Sequence, residues 1–61
     1  MPIINVAMLE GRTLEQKRRL VQEMTKLVCD VLGCSEDAVT IKLEELAKEN
    51  LAKGGKLFLD R

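Results

Sequence analysis

The sequence predicts an α/β domain: a β-α-β unit with a parallel strand pair and a C-terminal hairpin or arm, assembled into an oligomer. Three observations carry that expectation. An apolar segment at residues 3–9 and an alternating one at residues 39–46 flank a single long amphipathic stretch that opens at Thr13 and stops at Gly33. Two strands joined through one helix lie parallel, with a right-handed crossover. The third observation is length. A chain of 61 residues hides only about 60% of the surface its unfolded form exposes. Scaffolds this small need disulfides, a metal or partner subunits.

Residues 3–9 combine Ile, Val and Met with no helix breaker, which suits a strand. Alternation sets Ile4, Val6 and Met8 on one face and Ile3, Asn5, Ala7 and Leu9 on the other. The first face is uniformly apolar and is expected to meet the helix. The second is mixed, which suits a subunit interface or a pocket wall. Pro2 stands directly behind Met1, and a small second residue favours removal of the initiator methionine. The expected product is an N-terminal secondary amine on a rigid ring, a basic nitrogen at the head of an apolar strand.

Glu10-Gly11-Arg12 breaks the strand, and Thr13-Leu14-Glu15-Gln16 fits a capping box, in which the threonine hydroxyl and the glutamine side chain each satisfy a free backbone N–H. Helical periodicity follows to Leu32. It places Leu20, Met24, Leu27 and Val31 on one stripe, flanked by Val21, Val28 and Leu32. Lys17 lies in line with the stripe, where its stem packs and its ammonium reaches water. Arg18, Arg19, Gln22, Glu23, Lys26 and Asp30 form the solvated face, with Glu15–Arg19 and Lys26–Asp30 as expected i,i+4 pairs. Cys29 falls among these polar positions, either exposed or covered by another subunit. Gly33 suits the left-handed residue that ends a helix.

Residues 34–38 read as a polar connector with a helical turn capped by Ser35. In residues 39–46, Val39, Ile41 and Leu43 share one side and Thr40, Lys42 and Glu44 the other, a strand with one face on the helix. Two strands with a bare far face are not a finished sheet, so further copies are expected to extend it. Residues 47–53 read as a turn or short helical loop. Gly54-Gly55 is a tight-turn signal, and residues 56–59 form a last short strand or arm. The chain is one domain, 1–61.

Ten basic residues balance ten acidic ones, so no long-range field draws the chain to nucleic acid or an anionic membrane. No run approaches the eighteen or so apolar residues that a membrane span requires. There is no histidine, and the five-residue spacing of Cys29 and Cys34 matches no zinc pattern, so no metal is expected. Free thiols and the lack of an export signal point to the cytoplasm.

Pro2 opening a short strand, Leu9-Glu10-Gly11-Arg12, Glu15-Gln16-Lys17, the strand at 39–46 and Gly54-Gly55 near the end together resemble the 4-oxalocrotonate tautomerase family over the whole chain. The resemblance implies the tautomerase fold, a homohexamer described as a trimer of dimers, and active sites where subunits meet. It also implies a cofactor-free isomerase acting on a small unsaturated 2-hydroxy or 2-keto acid. Pro2 would be the general base and Arg12 the clamp for a substrate carboxylate, with Leu9, Thr40 and Leu51 lining the substrate site. A base works best with a pKa near the operating pH, and burial or a nearby cation lowers that of an amine.

Two positions depart from the family pattern. Thr40 stands where well-studied members carry a second arginine from another subunit; its hydroxyl brings no charge. Lys42 shares that face about 7 Å along the strand and is a candidate substitute. Leu51 stands where an aromatic residue is common. The reaction class therefore carries over better than a dicarboxylate substrate does; a monoacid or a phenylpyruvate-like enol fits as well. Two other readings compete. Hydration or dehalogenation of an unsaturated acid needs a carboxylate to activate water, and Lys53 stands where related dehalogenases place it. An oligomeric binding protein without turnover fits the balanced surface and apolar faces equally well.

Overall fold

The computed structural model covers residues 1–61. Strand β1 spans Ile3–Leu9, helix α1 Leu14–Leu32 and strand β2 Thr40–Leu46; a small hairpin, β3 (Ala52–Lys53) and β4 (Lys56–Leu57), completes the chain. Strands β1 and β2 are parallel, with Ile3 opposite Thr40, Val6 opposite Leu43 and Leu9 opposite Leu46. Strand β2 begins one residue later than the alternation suggests. The Val39 N–H is taken by the Glu36 carbonyl at 3.1 Å, closing a 3₁₀ turn over Glu36–Ala38. Ser35 precedes that turn and accepts through its backbone carbonyl, not its hydroxyl.

The capping box forms as read. The Thr13 hydroxyl accepts from the Gln16 N–H at 3.1 Å, and the Gln16 side chain accepts from the Thr13 N–H at 2.9 Å. Gly33 ends the helix at φ 68°, its N–H bonding the Cys29 carbonyl, a left-handed conformation that a glycine adopts without Cβ strain. Gly54 and Gly55, at φ 63° and 81°, make the two-residue loop of the β3–β4 hairpin, as required where both central residues have positive φ. The 47–53 segment therefore divides: a 3₁₀ turn over Lys48–Asn50, then β3. Of the hairpin and the arm, the hairpin forms.

One face of the sheet covers the helix, through the half-buried Ile4, Val6, Met8, Ile41 and Leu43. The helix turns a different face to it than the stripe implies. Lys17, Leu20, Val21, Met24, Thr25, Val28 and Cys29 are half-buried, whereas Leu27 and Val31 are 63% and 70% exposed. The reason lies in the sheet's width. Two strands cover only a narrow band of the helix, so Leu27 and Val31 fall beyond it. Cys29, expected among the polar positions, is half-buried on the covered face instead. The ion pairs along α1 also differ from expectation: Arg18–Glu15 and Lys26–Glu23 form at i,i+3, and neither Arg19 nor Asp30 is paired.

No residue of the single chain is fully buried, and its accessible surface is 4866 Å², against about 4000 Å² for a monomer of this mass. The radius of gyration is 14.6 Å, against about 10.5 Å for a closed domain of this length. The chain is an open slab, 43 × 23 × 13 Å, with the apolar Ile3 and Leu32 among its exposed residues.

Candidate active site

The predicted site residues fall at the two ends of β1. At one end, Pro2 is half-buried and its carbonyl accepts the Thr40 N–H at 3.0 Å. That bond extends the ladder one residue beyond β1 and fixes the ring against the start of β2. Met1 is 85% exposed and makes no part of this contact. Thr40 and Lys42 share the far face of β2, with Lys42 opposite Asn5, so Thr40 is the nearer of the two to the ring.

At the other end, Leu9 pairs with Leu46 and the Glu10 N–H donates to the Leu46 carbonyl at 2.9 Å. Gly11 follows at φ 109°, turning the chain so that Arg12 stands directly before the helix cap. Arg12 is exposed and takes part in no ion pair or side-chain hydrogen bond. Its cleft, about 270 Å³, is also lined by Met8, Gln16, Lys17 and Leu20. Leu51 is half-buried at the root of the C-terminal hairpin, where its carbonyl accepts the Phe58 N–H at 2.8 Å.

Seven strand residues at about 3.3 Å each put more than ~20 Å between Pro2 and Arg12. The single chain thus joins Pro2 with Thr40; Leu9 lies at the Arg12 end of β1 but is not among the residues that line the Arg12 cleft. The chain does not bring the proline nitrogen to the guanidinium. None of its concavities includes Pro2.

One residue behind the Arg12 cleft went unread in the sequence. Glu45 points to the helix side of β2 and its carboxylate holds the Lys17 ammonium, which therefore does not simply reach water. The signal was present: Glu44 and Glu45 are adjacent, so alternation forces one acid onto the face shared by Ile41 and Leu43.

Cys29 and Cys34 are both free. The Cys29 thiol is pushed above its usual pKa of 9.0, first by desolvation, then by hydrogen bonding to Cys34, with the nearby Cys34 and Glu36 charges adding to it. Beyond this pair no cluster of ligating side chains is assembled. No helix is long and apolar enough to cross a membrane.

Comparison with known proteins agrees with this architecture. The family model described as "Tautomerase enzyme" matches residues 2–61. The 2-hydroxymuconate tautomerase of Bacillus subtilis (strain 168) is 45% identical over 60 residues, covering 98% of this chain and 97% of that protein. The crystal structure of a 4-oxalocrotonate tautomerase homologue (TTHB242) superposes with a TM-score of 0.95 at 38% identity, covering 100% of this chain and 97% of that one. A heterohexamer 4-oxalocrotonate tautomerase from Chloroflexus aurantiacus J-10-fl, at 23% identity, shares the fold with a TM-score of 0.91 over 98% of this chain and 97% of that one. A family match that omits only Met1, with a relative nearly half identical from end to end, leaves one conclusion: the chain belongs to the tautomerase enzyme family and is an isomerase.

Proposed function

We propose that the protein is a cofactor-free keto–enol tautomerase of an unsaturated 2-hydroxy or 2-keto acid, with Pro2 as general base. Once Met1 is removed, the Pro2 nitrogen is a secondary amine with a free lone pair. It takes a proton from one position of the conjugated acid and, as the ammonium, returns it to another. The π electrons shift between enol and ketone, and nothing is oxidised or reduced. Such proton transfer by a positioned base contributes about 10²–10⁴-fold.

Arg12 is the carboxylate clamp. Its planar fork matches a carboxylate in two parallel hydrogen bonds, and in this chain it is uncommitted. The separation of Pro2 from Arg12 along β1 is the observation that most shapes the reading: a working site takes Pro2 from one copy and Arg12 from another. The open slab, with no residue fully buried, supports assembly, and a homohexamer built as a trimer of dimers is the arrangement we propose. Thr40 gives the developing enolate a hydroxyl donor but no charge, while Leu9 and Leu51 supply apolar wall. The free thiols suit a reducing compartment, and cytoplasmic residence is part of the proposal.

The test combines intact mass with ketonisation kinetics. Processed protein should start at Pro2 and ketonise an enolised 2-keto acid. If Met1 is retained, the nitrogen is a tertiary amide, and turnover by such protein would refute Pro2 as the base.

A further inference from the structure

Lys17–Glu45 is the one ion pair that joins the helix to the sheet; Arg18–Glu15 and Lys26–Glu23 both lie within α1. Lys17 lines the same cleft as Arg12, with Met8, Gln16 and Leu20. Three of these side chains can donate to an anion. The Gln16 carbonyl oxygen is occupied by the Thr13 N–H, so its amide NH₂ is the end left to donate. The Lys17 ammonium sits on the Glu45 carboxylate, the two side chains 24% and 35% exposed, a partly covered pair that solvent screens less than one on the open surface. Arg12 alone is a cation without a partner. At the Pro2 end the far face of β2 offers Thr40, the nearer residue to the ring, which adds no charge; the Lys42 ammonium stands two residues, about 7 Å, further along the same face.

We propose that Glu45 is a specificity-determining residue. By holding Lys17 it leaves Arg12 as the single free cation of the cleft. The site then selects an unsaturated 2-keto acid with one carboxylate over one with two, because a second carboxylate would be desolvated without a partner. This rests on the reading of Arg12 as the carboxylate clamp. Glu45 acts through Lys17 and touches no reacting atom.

The experiment measures kcat and KM of processed, assembled protein on two enols, phenylenolpyruvate with one carboxylate and 2-hydroxymuconate with two. Glu45→Gln frees the Lys17 ammonium, and the dicarboxylate-to-monocarboxylate ratio of kcat/KM should rise about tenfold, chiefly through KM. Lys17→Met leaves the Glu45 charge unpaired behind the cleft, and the ratio should fall. The double variant should return to the wild-type ratio. A merely structural pair would lower activity on both substrates alike in both single variants; an unmoved ratio overturns the proposal. If a single variant does not assemble, the exchanged pair Lys17→Glu with Glu45→Lys keeps the bond but reverses the charges at each position. It should keep the wild-type ratio, and a large shift counts against the proposal. Arg12→Ala separates the two levels. If it leaves KM unchanged on both substrates, the clamp reading fails and this inference with it. If KM rises while the Glu45 and Lys17 variants leave the ratio fixed, this inference alone fails.

Discussion

The Thr40 N–H donates to the Pro2 carbonyl at 3.0 Å, so the first residue of β2 holds the proline ring at the open end of the sheet. The bond uses the proline's carbonyl and leaves its nitrogen to the chain terminus. Ring position is therefore set by backbone, and a substitution at Pro2 that keeps the carbonyl keeps the ladder. Pro2→Ala should lower kcat for ketonisation by about 10²–10⁴-fold with the circular dichroism spectrum and assembly unchanged. Near-wild-type turnover in that variant would remove Pro2 from the chemistry.

The cap beside Arg12 gives a second prediction. Thr13 and Gln16 satisfy each other's backbone N–H groups, and Arg12 is the residue immediately before them. Thr13→Ala should cost about 1 kcal/mol of stability, read as a lower melting temperature. It should also raise KM more than it lowers kcat, because the arginine's anchor loosens while the base is untouched.

Much of this was legible in the sequence. The LEGR turn, the capping box and Gly33 are local signals, each decided within a few residues, and each forms where it was read. The facing of the helix was not local. Leu27 and Val31 are as apolar as Leu20 and Met24, and only the narrowness of a two-stranded sheet decides which are covered. The partnership of Lys17 with Glu45, 28 residues apart, likewise depends on the register of helix against sheet. The expected Glu15–Arg19 pair lost to Arg18, since both arginines are within reach and a surface pair of this kind is worth only about 0.2–0.5 kcal/mol. The proposed joining of Pro2 to Arg12 rests on the family resemblance, because one chain holds them apart.

The cysteines carry a pH dependence. With its folded pKa above 9.0, the Cys29 thiol contributes stability that is fully present below the unfolded value and is lost as pH rises through the folded one. The melting temperature should therefore fall in alkali above about pH 9. Cys29→Ala should flatten that alkaline decline, and an identical decline in the variant would assign it to other groups. In native protein at neutral pH, Cys29 should also alkylate more slowly than it does in denaturant.

The central claim, that each site draws Pro2 and Arg12 from different copies, is tested most directly by mixing subunits. Pro2→Ala and Arg12→Ala proteins, each nearly inactive alone at low substrate, are denatured together in equal amounts and refolded. Random assortment in a symmetric assembly puts an intact Pro2 beside an intact Arg12 in about a quarter of the sites. Activity should recover to about that fraction of wild type. If both residues of a site came from one chain, no mixed assembly would hold an intact site, and a refolded mixture no more active than its parents would contradict the account.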